Sequence, residues 1–158
     1  MKYLVTLLVF AGFFSCKHNI KEYSAIVENT KPVEIELAHG KKLMETHCYL
    51  CHSPQAAEDQ GRIAPPMVAI KARYIDKEGY NKEEFIKYVT SFVENPTEEL
   101  ALMKGAVKKH GLMPKQAFPK QSVQKIAAYM FDYQIEESVW FIAHCEAHGN
   151  KNWIQSGI

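Results

Sequence analysis

The chain has 158 residues, is 47% apolar and 23% charged, and carries a formal net charge of +1 at pH 7. That length suits one domain plus targeting sequence. The near-neutral balance points to no class of partner, and plentiful aromatics without a low-complexity run exclude disorder for the body of the chain.

Residues 1–15, MKYLVTLLVFAGFFS, place a lysine before an apolar stretch that ends on a small residue. This is the layout of a secretory signal, too short to span a bilayer comfortably. Cys16 follows directly. An apolar run followed by Ser-Cys resembles a bacterial lipobox, with Phe13 where Leu is usual. The resemblance implies acylation of Cys16, which would tether the mature protein to a membrane. An ordinary signal peptide cut nearby and an uncleaved anchor are the alternatives. Each puts the mature chain in the bacterial envelope, outside the cytoplasm, where thiols do not stay free by default.

Residues 16–34 are polar with weak periodicity and read as a tether. The folded domain is expected over 35–133. Its first element, IELAHGKKLMETH at 35–47, is helical, with Leu37, Gly40, Met44 and Cys48 on one face. The helix runs straight into CYLCH at 48–52. Turn signals and Pro65-Pro66 make 53–80 mostly irregular loop. NKEEFIKYVTSFVE at 81–94 is an amphipathic helix with Asn81 and Glu84 in capping-box positions and a Phe85, Val89, Phe92 stripe. Asn95 and Pro96 can start a further helix running to about Lys109, which Gly111 stops. LMPKQAFP at 112–119 is a loop. KQSVQKIAAYMFDY at 120–133 is a last helix, with Val123, Ile126, Ala127 and Met130 inward. Residues 134–158 form an extension, a short helix or packing arm anchored by Trp140, Phe141 and Trp153. No strand pattern of any length is present. The fold class expected is all-α.

Four chemistries use C-x-x-C. Covalent heme attachment needs two thiols three apart, each adding across one vinyl group. It also needs a histidine next in sequence, lying beneath the iron. A thioredoxin-like pair needs a strand before the motif and leaves His52 unexplained. Zinc would recruit His144 and His148 from roughly ninety residues away, too far for a compact finger. A disulfide would close a small ring of little value and again ignore His52. Cys145 is the odd cysteine and reads as a packed thiol.

HGKKLMETHCYLCH resembles the N-terminal helix of class I cytochromes c. Gly40, Met44 and Cys48 stand where that family has its Gly, aromatic, Cys ladder, Met44 replacing the aromatic. GRIAPPM resembles the family's proline loop, which implies that Pro65 or Pro66 accepts a hydrogen bond from His52. GLMP resembles its distal loop, which implies Met113 as sixth iron ligand. Met67 competes for that role, Met103 and Met130 fall on apolar faces, and His110 sits among lysines. Arg62, Arg73 and Tyr74 are candidates for the heme propionates, against ordinary surface and loop packing.

The resemblance spans about 36–133 and implies helices wrapped around one covalent heme c. Cys48 and Cys51 would be attached to it, with His52 and Met113 on the iron. The function implied is single-electron transfer by a membrane-tethered monoheme carrier, not an enzyme, since two protein ligands leave no open iron position. A heme subunit or gas or redox sensor with a labile distal Met is the alternative, and a non-heme dithiol protein is a third reading. In the resemblance the distal loop borders the exposed heme edge. Lys104, Lys108, Lys109, Lys115, Lys120 and Lys125 bracket Met113 without an Asp or Glu between them. They suggest an acidic redox partner docking near Lys109 and Lys115; no nucleic-acid partner is expected.

Overall fold

The structure is a computed structural model that describes residues 32–57 and 61–148. The chain divides into two units, Met1–Pro32 and Val33–Ile158. Apart from Pro32, every described residue belongs to the second. The leader, Cys16, most of the tether and Trp153 lie outside the described residues.

Among the described residues there are six α-helices and no strand, as an all-α chain requires. Helix α1, Pro32–His47, starts at Pro32 rather than at Ile35. Proline suits a first helical turn, where its missing N–H would have no partner. Helix α2, Met67–Ala72, continues as a π-helical turn over Arg73–Lys77. Its wider turn shows in the bond of 3.2 Å from the Glu78 N–H to the carbonyl of Arg73, five residues back. Helix α3 is Lys82–Glu94, α4 is Lys104–His110, α5 is Lys120–Asp132 and α6 is Val139–Ala147. No described helix is long and apolar enough to cross a membrane.

Two expectations are corrected. Residues 53–80 are mostly irregular but not wholly so, because α2 and its π turn occupy 67–77. Met67, Val68, Lys71 and Tyr74 recur at helical spacing and are all buried. A lysine inside that stripe breaks it when read by hydropathy alone. The second correction concerns the helix expected from Pro96 to Lys109. Asn95 instead ends α3, with extended φ of −146°. Thr97 takes over as a local cap: its Oγ1 accepts from the Leu100 N–H at 3.3 Å. The Ala101 N–H reaches the Thr97 carbonyl at 3.1 Å, and the turn goes no further. Only Lys104–His110 is helical, stopped at Gly111, whose φ of 83° suits glycine.

Helix α3 forms as its sequence dictates. The Asn81 side chain accepts from the Glu84 N–H, and the Glu84 carboxylate accepts from the Asn81 N–H, both at 3.0 Å. It packs on α5, and two ion pairs give their register. Lys82 meets Asp132 at 2.6 Å and Glu94 meets Lys120 at 3.1 Å, so each helix start faces the other's end. The helices are therefore antiparallel. These pairs are exposed and contribute little stability. The core beneath contributes more. Phe85, Val68, Met44, Ala127 and Met130 are almost fully buried. Burying each large apolar side chain is worth about 1.5–3 kcal/mol.

Helix α1 crosses α5 at Gly40. A Cβ there would lie 2.7 Å from the Tyr129 Cβ and 2.9 Å from the Lys125 carbonyl oxygen. Only glycine lets the two backbones approach so closely. The crossing fixes α1, and with it the turn that α1 feeds. From the extension, Ile135, Phe141 and Cys145 join the same core.

Candidate functional site

CYLCH is a continuation of α1. The Cys48 N–H reaches the Met44 carbonyl at 2.8 Å, and the His52 N–H reaches the Cys48 carbonyl at 2.8 Å. One helical turn thus carries both thiols and the imidazole. Cys48, Cys51 and Cys145 are all unpaired. Cys48 is half-buried and Cys51 exposed. Burial, then the nearby Cys51, pushes the Cys48 thiol up to about 11, so it is a thiol at neutral pH.

His52 is held by its far side. Its Nδ1 lies 2.6 Å from the Pro65 carbonyl oxygen. A carbonyl can only accept, so Nδ1 carries the proton and Nε2 keeps its lone pair. Burial lowers the His52 pKa, and the charge of His110 lowers it further; the Pro65 bond works against both. An imidazole kept neutral, with one nitrogen tied and the other free, is the state a metal ligand needs. Of the two prolines expected to accept from His52, Pro65 does so. Pro66 does not, because its carbonyl is committed to starting α2, accepting from Ala69 at 3.0 Å and Ile70 at 3.3 Å.

The methionines separate by environment. Met67 and Met130 are packed in the core, at 7% and 0% exposure. Met103 is half-buried at the entry to α4. Met113 is half-buried in the irregular stretch between α4 and α5. His110 ends α4 within electrostatic reach of His52, three residues before Met113. Burial first, then Arg62 and Lys109, lowers the His110 pKa.

The three propionate candidates part company. Arg73 is tied to Glu78 at 2.6 Å, although its Nε too is buried and lacks a hydrogen-bond partner among the described residues. Tyr74 is buried, edge-on to Phe85 and Tyr80. Arg62 lies over Trp140, with its Nε buried and lacking a hydrogen-bond partner among the described residues. Sequence reading names Trp140 only as an anchor; a contact this remote in sequence leaves no local signal. The zinc reading finds no support in the geometry: among the described residues no three His, Cys, Asp or Glu side chains are gathered as a metal cage. A charged surface groove along α3 and α5, lined by residues such as Glu83, Lys87 and Gln124, shares no residue with the candidate site.

The donors present fit a heme: two free thiols one turn apart, an imidazole of pinned tautomer, and an orphaned guanidinium nitrogen whose charge is felt at His110, three residues before the half-buried loop Met113. A helical domain ending its first helix this way belongs to the class that carries heme covalently. The family model for Cytochrome c matches residues 37–132, more than half of the chain, and the chain belongs to the cytochrome c family. Its cofactor is one covalently bound heme c, and its general chemistry is heme-based electron transfer. Comparisons with curated proteins and with solved structures found no match.

Proposed function

We propose that this protein is a monoheme electron carrier of a bacterial envelope, tethered to a membrane by lipid on Cys16. Cys48 and Cys51 hold the heme, and His52 and Met113 ligate its iron. The observation that carries the reading is His52, whose Nδ1–H is bound by Pro65 while Nε2 stays free beside two unpaired thiols. When bound, the heme supplies a one-electron ferric–ferrous couple. Burial keeps the imidazole neutral, and the Pro65 bond orients it. The Met113 loop, stopped at Gly111 and followed by Pro114, offers a thioether without breaking a helix. A carrier of this kind does no chemistry on a substrate.

Electrons would pass to an acidic partner guided by the lysines near the distal loop. Some of these lysines are engaged: Lys104 bonds the Glu98 carbonyl and Lys120 pairs with Glu94. Lys108, Lys109 and Lys115 are exposed, with no ion pair among the described residues. Such charges raise the on-rate more than the affinity.

The test is an optical spectrum, oxidised and reduced, of protein expressed with heme-attachment machinery. Colour that survives acid–acetone extraction and a ferric thioether charge-transfer band are expected. Met113→Ala should lose the band, while Met67→Ala keeps it. A colourless, exported wild type overturns the reading. CO binding by the native protein would move it to a gas or redox sensor with a labile Met. Acyl mass on the N-terminal peptide, absent in Cys16→Ala, tests the tether.

A further inference from the structure

The C-terminal helix lies beyond the residues that the family model matches, yet it touches the loop that follows His52. Trp140 on α6 donates its Nε1–H to the Ala56 carbonyl at 3.0 Å. The Arg62 guanidinium carbon sits 4.3 Å from the centre of the Trp140 ring. Ala56 and Arg62 both belong to the loop that runs from His52 to its acceptor Pro65. Helix α6 is itself held firmly, since Phe141 and Cys145 are buried in the core.

The position of Arg62 over the ring bears on what it can do. A guanidinium lying on an aromatic face uses its face there and leaves its edge N–H groups for acceptors in its plane. The Nε–H on that edge is buried and lacks a partner among the described residues. A buried donor without an acceptor is unfavourable, and a charged one more so. An anionic acceptor therefore suits this edge. The Arg62 charge is also felt at His110, which ends α4 three residues before Met113.

We propose that Trp140 is a positioning residue: α6 holds Arg62 edge-on to a heme propionate and thereby raises the reduction potential of the heme. The inference rests on the heme reading above and deepens it. A propionate paired with Arg62 contributes less negative charge at the iron, which favours the ferrous state; an unpaired one favours the ferric state.

The experiment is a spectroelectrochemical titration of the full chain with heme attached. Trp140→Ala should shift the one-electron equilibrium about threefold toward ferric, a fall of about 28 mV. Arg62→Gln should shift it the same way by at least as much. Adding Trp140→Ala to Arg62→Gln should change nothing further, because the tryptophan acts through the arginine. Trp140→Phe keeps an aromatic face, loses the Ala56 bond, and should hold most of the wild-type potential. An unchanged or raised potential in Trp140→Ala, or full additivity with Arg62→Gln, overturns the proposal. If Trp140→Ala does not fold, an unchanged potential in Arg62→Gln overturns it alone. A red wild type with indifferent variants leaves the electron-carrier reading standing, whereas a colourless wild type removes both.

Discussion

Helix α1 and helix α6 both reach the loop after His52, by different physics. Helix α1 arrives by covalent continuity: its last turn becomes CYLCH, so the thiols and imidazole are placed by local backbone hydrogen bonds. Helix α6 arrives from 84 residues away, through a tryptophan N–H and an arginine over the tryptophan ring. The first contact is written in five consecutive residues. The second exists only when the core has closed over Ile135, Phe141 and Cys145. Chemistry placed by local structure should fail completely when a residue is lost. Chemistry tuned by tertiary packing should fail by degrees.

The sharpest break falls on α1. Replacing Cys48 and Cys51 together by Ala should abolish covalent heme entirely, read as loss of colour after acid–acetone extraction and of the heme mass. Retained covalent heme would mean that the local motif does not carry the attachment.

Next comes the crossing that aims α1. Gly40→Ala adds a methyl that meets the Tyr129 Cβ at 2.7 Å and the Lys125 carbonyl at 2.9 Å. The alanine gains about 1 kcal/mol of helix propensity. Overpacking against backbone costs about 1–3 kcal/mol or somewhat more. A net loss of stability is expected in urea unfolding. A stabilised Gly40→Ala would show that α1 is set by its own turn and not by α5.

A smaller effect tests the arm's attachment through Lys71. Its side chain is fully buried, and its Nζ donates to the Tyr133 carbonyl at 2.8 Å. Burial lowers its pKa to about 8 from the ordinary 10.5, while Asp76 on the π turn, Glu137 on the arm and Asp132 at the end of α5 pull it upward. Between those two values the unfolded chain binds more protons than the folded one. Stability contributed by this group is therefore fully present above 10.5 and is lost as pH falls through 8. Unfolding free energy should rise by on the order of 1 kcal/mol from pH 8 to 9.5, and the rise should vanish in Lys71→Met. A rise of equal size in Lys71→Met would assign it to other groups.

The smallest effect is expected at the surface. Lys109→Glu with Lys115→Glu should slow electron exchange with an acidic partner about severalfold at low salt, since charge steering acts on encounter rates. The difference should fade as ionic strength shortens the screening length to roughly 8–10 Å and below. Stopped-flow rates flat with salt would reduce the lysines to a solvated face.

Helix α3 was legible because periodicity, capping residues and length agreed, and α5 because periodicity and length did. Helix α2 was hidden because Lys71 occupies a buried position in its apolar stripe, and because no side chain caps its start. The helix expected after Pro96 shrank because Thr97 closes a single turn on itself. At the site, the motif was legible as a string, and its histidine's partner was narrowed to two neighbours. Choosing Pro65 required knowing that the Pro66 carbonyl starts α2.

From the sequence alone came the class of fold, the covalent heme and the residues offered to it, because each depends on groups within one or two helical turns. Tertiary structure decided which proline binds His52, why position 40 must be glycine, and what each of the three propionate candidates touches. Those outcomes depend on contacts between residues far apart in sequence, and such contacts acquire a partner, a distance and a burial only once the chain has packed.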